Sequence, residues 1–298
     1  MNATFRFKKV VLLLTAFVLN ATAKAQVSNW QENHHGSLYI SFGYAKQWYS
    51  RSNIYINQGA NNSYTLQNVK GTDLGPANDP YSLAHYAWKA GYLFNYSQNL
   101  GLELSWDPCR YYVPDNQNVS ISGTLDGTKV NGNILFSRMS GYYYGLEKGS
   151  GSFSLNLVKR FGLYRKISHK FTLDAVVKGG MGILMPSFNY ELGNAPGSSL
   201  INVAKSSTGS AYQFEAGIRW TTQRHYYLEL DYKLAKVSFD NIAILNGSLA
   251  QEYVSNSITL NAGGIFSVTK HNPLFTKGWP HRKEIKHPHA MYKTEEDY

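Results

Sequence analysis

Hydrophobic and polar residues alternate with a period of two over eight segments, approximately 38–49, 84–95, 99–112, 152–161, 170–185, 210–221, 225–236 and 257–267. That period belongs to β-strands, in which side chains at i, i+2 and i+4 share one face. In "HYYLELDYKL" (225–234), Leu228, Leu230, Tyr232 and Leu234 lie opposite Glu229, Asp231 and Lys233. In 99–112, Leu100, Leu102, Leu104 and Trp106 oppose Gly101, Glu103, Ser105 and Asp107. In 170–185, Phe171, Leu173, Ala175, Val177, Met181 and Ile183 oppose Thr172, Asp174, Lys178 and Gly182. In 210–221, Tyr212, Phe214, Ala216, Ile218 and Trp220 oppose Gln213, Glu215 and Arg219. In 84–95, Tyr86, Trp88, Tyr92 and Phe94 oppose His85 and Lys89.

The connections alternate as strictly as the faces. Ser50–Leu83, Val113–Gly151, Pro186–Gly209 and Val237–Asn256 are long, whereas "YSQ", "GLYRKISH" and "TQR" are short. A meander with short turns at one end and long loops at the other predicts an all-β, eight-stranded antiparallel up-and-down barrel. Greek-key sandwiches do not give this alternation.

Where each face points separates two environments. A soluble sandwich would turn the Leu/Tyr face to a core; a membrane barrel turns it to lipid and the charges to the lumen. Aromatics at the ends of the apolar faces favour the membrane. Trp48, Trp88, Trp106 and Tyr212 fall at the long-loop end, and Phe94, Phe161, Phe171, Trp220, Tyr226 and Phe266 at the short-turn end. These are two interfacial girdles. The polar faces carry Glu103, Asp107, Asp174, Glu215, Glu229 and Asp231 against Lys89, Arg160, Lys178, Arg219 and Lys233. An eight-stranded barrel is just wide enough for side chains to fill, and buried charges must be paired. The pattern therefore predicts a closed lumen filled by one ion-pair network, and disfavours a diffusion pore.

The chain opens "MNATFRFKKVVLLLTAFVLNATAKAQ": a basic start, an apolar run from Val10 to Leu19 and a small-x-small site at Ala23-Lys24-Ala25. This is a secretory signal peptide, residues 1–25, too short to span a bilayer as a helix. Its removal takes four of the 29 basic residues and none of the 19 acidic ones, leaving +6. The excess is scattered, with no basic stripe for nucleic acid. Cys109 is the single cysteine, so the exported chain has no intramolecular disulfide. The barrel is placed at 26–268. A polar tail, 269–298, follows on the periplasmic side; its "HPH" lacks the companions of a metal site and reads as a solvated segment. Expected surroundings are outer-membrane lipid, lipopolysaccharide and the barrel-assembly machinery, with an extracellular ligand unspecified.

The architecture resembles the small outer-membrane β-barrel class of the OmpA transmembrane domain and OmpX. A closer resemblance, to an uncharacterised Gram-negative outer-membrane barrel family, is carried by "YSRSNIYINQ", "YTLQNVKGTD" and "LGLELSWDPCRYYVPDNQNVSISG". Asp107, Arg110 with Tyr111, and Gln117, Val119, Ile121 and Gly123 match its pattern. Cys109 departs from it, which argues against a shared cysteine chemistry. The resemblance implies fold and location and supplies no activity or cofactor.

Two extramembrane hairpins are expected, one around Asp126-Gly127, a type I′ turn signal, and one joining "SNIYINQ" to "SYTLQNV". Either is an exposed sheet edge for a partner or plain loop structure. "SGYYYG" adds tyrosines on the surface, for contact or for packing the loops. For catalysis, a pairing sum near 194 sets His85 opposite Cys109, with Asp107 two residues away, so a Cys-His-Asp set acting on lipid A acyl chains is the enzyme alternative. The bland alternative is a small buried thiol beside a hydrogen-bonded histidine. Pro108 between them predicts a bulge or an irregular pairing there, which weakens the register argument. Phosphate loops, zinc spacings and Ser-x-x-Lys motifs are absent, and the leading expectation is a non-enzymatic barrel.

Overall fold

The computed structural model describes residues 34–74, 85–94, 99–146, 150–166, 171–192, 201–203, 209–222, 225–244 and 246–269. The segment expected as a signal peptide, 1–25, and all but the first residue of the expected tail, 269–298, lie outside them. Among the described residues the strands are β1 (His34–Tyr49), β2 (Ser52–Asn57), β3 (Ser63–Val69), β4 (Tyr86–Leu93), β5 (Leu100–Pro108), β6 (Gln117–Leu125), β7 (Thr128–Phe136), β8 (Tyr142–Leu146), β9 (Gly151–Lys166), β10 (Phe171–Met185), β11 (Phe188–Leu192), β12 (Ile201–Val203), β13 (Gly209–Thr222), β14 (Tyr226–Ile244) and β15 (Gly247–Thr269).

Eight of them, in the order β1-β4-β5-β9-β10-β13-β14-β15, pair antiparallel, and β15 returns to β1 to close the cylinder. Closure leaves no open edge, which a sheet in hydrocarbon requires. The faces settle where each side looks. Leu228, Leu230 and Tyr232 are 49%, 54% and 51% exposed, whereas Glu229, Asp231 and Lys233 are 1%, 1% and 5% exposed. Phe42, Leu104, Leu155, Met181, Ile218 and Leu260 continue the outward apolar belt around the cylinder. A closed barrel with apolar residues outside and charges inside is a transmembrane barrel of the outer-membrane class.

Several expectations are corrected. Val237–Asn256 is not a loop: β14 and β15 run on past the barrel, paired up to Ile244 opposite Gly247. Their register shifts between Phe239 and Ile242, where Asn241 adopts φ 57°. The extra residue of that bulge breaks the period-two pattern. Likewise β9 continues through "GLYRK" to Lys166 past a register shift at Leu173/Asp174. At Pro108 no bulge forms on the β9 side, where register is regular up to Pro108 opposite Gly151, but the β4–β5 pairing stops at Trp88 opposite Trp106 although β4 begins at Tyr86, and β5 ends at Pro108, short of Tyr112.

Outside the barrel the sheet continues sideways. The projecting part of β15 pairs with β2, followed by β3, β6 and β7. Both expected hairpins are present. Asp126 (φ 49°) and Gly127 (φ 74°) take the two positive φ values of a type I′ turn. A second sheet, β12-β11-β8, completes the cap. The tyrosines of "SGYYYG" are not on the surface: Tyr142, Tyr143 and Tyr144 are buried in β8.

Candidate functional site

Inward residues stack in three layers along the barrel axis. At the short-turn end Tyr39, Leu93, Val158, Val176, Tyr227 and Ile265 form a buried apolar cluster. Beyond it, towards the long loops, come charges. Above these lies the cap core, in which Ile54, Leu66, Val119, Phe136, Phe239 and Leu249 pack with Cys109, Tyr111, Tyr144 and Tyr253.

The charged layer is built from facing strands. Lys178 on β10 meets Glu229 at 2.7 Å, Glu103 at 3.2 Å, Glu215 at 3.5 Å and Asp231 at 3.6 Å. Lys89 on β4 crosses the lumen to Glu215 and Asp231, both at 2.8 Å. Lys233 binds Glu215 at 2.8 Å and also reaches Asp107. Arg219 binds Glu229 and lies over the rings of Tyr39 and Tyr227, 4.7 and 4.3 Å from their centres. That stacking joins the charged layer to the apolar layer below it. Arg160 and Asp174 pair separately and remain slightly exposed. The eleven sequence-predicted lumen residues thus form one cluster of nine and one separate pair.

Neutral groups complete the cluster. Tyr39 Oη donates to Glu103 Oε2 at 2.9 Å, Asn156 Nδ2 to Glu103 Oε1 at 3.2 Å, and Asn261 Nδ2 to Asp231 Oδ2 at 2.9 Å. Inward glycines leave the room. A Cβ on Gly217 would lie 2.2 Å from Asp231 Oδ1, and one on Gly91 2.3 Å from Tyr39 Cζ.

The three catalytic candidates each bind elsewhere. The β4–β5 register does sum to 194, as in Trp88 opposite Trp106. His85 nevertheless accepts at Nε2 from Arg110 Nη1 (2.8 Å), Cys109 Sγ lies 3.0 Å from Tyr253 Oη, and Asp107 accepts from Ser105 (2.9 Å) and pairs with Lys233. The acceptor nitrogen of His85 is thus taken by Arg110 and the Cys109 thiol by Tyr253. Burial, then the Arg110 charge, lowers the His85 pKa, and burial pushes the Cys109 thiol up to about 11. Among the described residues no three His, Cys, Asp or Glu side chains converge as metal ligands would.

Sequence reasoning missed the groups that tie the cap to the barrel. Buried Asp73 accepts from the Gln47 backbone N–H at 2.9 Å and pairs with Lys46 at 2.7 Å. Gln251 accepts from Tyr144 Oη at 2.7 Å and donates to Ser52 Oγ at 3.0 Å, which in turn lies 2.9 Å from Tyr111 Oη. Asp73 and Gln251 are lone polar positions in loop-like sequence, and no spacing announces them.

Comparison with protein-family models and with curated proteins finds no match, so the closer likeness drawn from Asp107, Arg110 and Gln117 gains no support there. Among solved structures the chain is similar to Neisserial surface protein A (NspA), at 10% identity over 76% of this chain and 98% of that one, TM-score 0.31. It is similar to the outer membrane protein OprG from Pseudomonas aeruginosa, at 12% identity over 80% and 99%, TM-score 0.35. The outer membrane protease OmpT from Escherichia coli is also similar, at 9% identity over 82% and 100%, TM-score 0.28. These three differ in what they are called, and the likeness carries nothing about activity.

Proposed function

We propose that this protein is exported by a cleaved signal peptide and inserted by the barrel-assembly machinery as a non-enzymatic outer-membrane barrel. Its lumen is closed, and its extracellular cap does the work of binding. One observation carries this reading: the charged layer is buried between an apolar layer at the short-turn end and the cap core at the long-loop end. Ions crossing such a barrel would have to break paired charges that have little water to replace their partners. The cap, by contrast, is a folded unit with a core of its own, larger than a barrel needs merely to connect its strands. The spent acceptor of His85 and the raised thiol of Cys109 speak against the enzyme reading.

The test is conductance. Purified full-length protein in planar bilayers is expected to give no steady current above the bare membrane. A persistent large conductance from wild type, insensitive to deletion of the cap hairpin 117–136, would replace the closed barrel with a pore.

A further inference from the structure

The outer face of the cap carries a cleft of about 440 Å³ that the closed lumen does not explain. Its floor is Ala250 on β15; Tyr55 and Asn53 on β2 with Arg51 before it form one wall, and Asp240 on β14 the other, with Glu252 at the base. A register shift on β14 at Phe239/Ile242 borders it, and a second, in the pairing of β2 with β3 at Ser52/Ile54, has its extra residue on β3. Near each shift an asparagine sits at positive φ, Asn68 at 60° and Asn241 at 57°. Bulges bend strands and re-aim side chains, and non-glycine residues at positive φ concentrate at functional sites. The β14 bulge sits directly beside Asp240 of the lining. The wall is also held in place: Asn53 Oδ1 accepts from the Asn68 N–H and Arg51 Nη1 donates to the Asn68 carbonyl, each at 3.0 Å.

The lining selects among ligands by elimination. At this level β15 is paired on both sides, to β14 and β2, so no free strand edge is offered to a peptide. The walls are polar, which excludes an acyl chain. Asp240 and Glu252 stand against Arg51, and the neighbouring Lys236 is already held by Glu252 at 3.0 Å; a phosphate or acidic ligand meets no excess of positive charge. What fits is an uncharged polyhydroxylated ring, with its apolar face on the half-exposed Tyr55 ring and its hydroxyls on the amide, guanidinium and carboxylates. The volume lies within the about 300–1,000 Å³ of small-molecule sites.

Building on the binding role given above to the cap, we propose that this cleft is a binding site for neutral saccharide. Glu252 lies three residues beyond Ser255, the partner of Tyr49 at the end of β1, or about 10 Å further along the strand. That level is reached equally by core sugars of lipopolysaccharide in the same membrane and by polysaccharide from outside.

The test uses full-length protein in phospholipid nanodiscs and saturation-transfer NMR with short neutral oligosaccharides, N-acetylhexosamine oligomers and, as a control, uronic acid oligomers. Saturation of the neutral sugars is expected. Tyr55→Ala is expected to weaken binding at least tenfold, and Ala250→Trp, which fills the floor, to abolish it. Both variants should keep the heat-modifiable electrophoretic shift of a folded barrel. Equal binding by Tyr55→Ala, preference for the acidic oligomers, or no binding by any sugar overturns the proposal. Repeating the titration in lipopolysaccharide discs separates the sources. Competition identifies the membrane's own sugars, and unchanged affinity identifies external ones. Conductance recorded on the same preparation tests the closed barrel independently, so the failure of one reading is not mistaken for failure of the other.

Discussion

Lys178→Met removes the cation at the centre of the lumen while nearly keeping its volume. Among the described residues Lys178 is the one cation within 4.0 Å of Glu103, and it also touches three other carboxylates. Each of these groups is about 1% exposed or less, so water cannot take its place. Breaking a buried pair in this way costs about 3–5 kcal/mol, most of it from the carboxylate left behind. Urea unfolding in lipid vesicles, followed by tryptophan fluorescence, measures it. With a slope of about 2 kcal/mol per molar urea, a loss of about 4 kcal/mol lowers the midpoint by about 2 M. The double variant Lys178→Met with Glu103→Gln removes both charges. The glutamine's amide oxygen still accepts from Asn156 while its NH2 can donate to a turned Tyr39 hydroxyl, so about 1–3 kcal/mol should return as coupling. Lys236→Met, which breaks the exposed pair with Glu252, serves as the control and should cost about 0–1 kcal/mol. A loss below about 1 kcal/mol for Lys178→Met, or a double variant no better than the single, would mean that water reaches the lumen and the reasoning fails.

Gly91→Val should cost about 1–3 kcal/mol by overpacking, since its Cβ meets the fully buried Tyr39 ring; the same urea assay reads it, and an unchanged midpoint would show that Tyr39 can move. Cys109 should resist maleimide in the native barrel and react readily after unfolding in urea. The sign of its pH effect follows from its raised pKa: the unfolded thiol ionises first, at about 9, so stability should fall between about pH 9 and 11. Cys109→Ser should flatten that part of the urea-midpoint profile, and an identical profile would contradict the thiol's burial. His85→Ala and Cys109→Ser should leave the lipid A mass spectrum unchanged, whereas a shift of one acyl chain that either substitution abolishes would establish the enzyme reading.

The barrel was legible because its signal is local. Alternation in 225–234 assigns Glu229, Asp231 and Lys233 to one face whatever that face meets, and a short turn fixes register, as the 194 sum of β4 and β5 does. Legibility stopped at bulges. At Asn241 one extra residue reverses the parity of the tip of β14, whereas β15 keeps its alternation through Leu249, Gln251 and Tyr253 but turns it to the cap core, and both outer halves read as loop. It stopped again at partner choice. The 194 sum extrapolates to His85 opposite Cys109, but the β4–β5 ladder ends at Trp88 and Trp106, and beyond it Arg110 binds His85 while Tyr253, distant in sequence, meets Cys109. "SGYYYG" failed for a related reason: tyrosine suits a surface or a core, and only the tertiary position of β8 against β11 decides.

The last strand belongs to two structures at once. Its inner half closes the cylinder on β1, and its outer half holds β2, so that Gln251 binds Ser52 across 199 positions of sequence. The ordering of the cap is therefore tied to the closing of the barrel, because the strands β2, β3, β6 and β7 emerge early and gain their strand pairing to the barrel only when β15 arrives, with Asp73 on Gln47 of β1 as the earlier tether. Contacts so distant in sequence are slow to form, and a chain stalled before its end presents the early hairpins without their anchor. An ordered cap is thus a report on closure: while β15 is unpaired, the cylinder is open on β1 and the sheet of β2, β3, β6 and β7 lacks its ladder to the barrel.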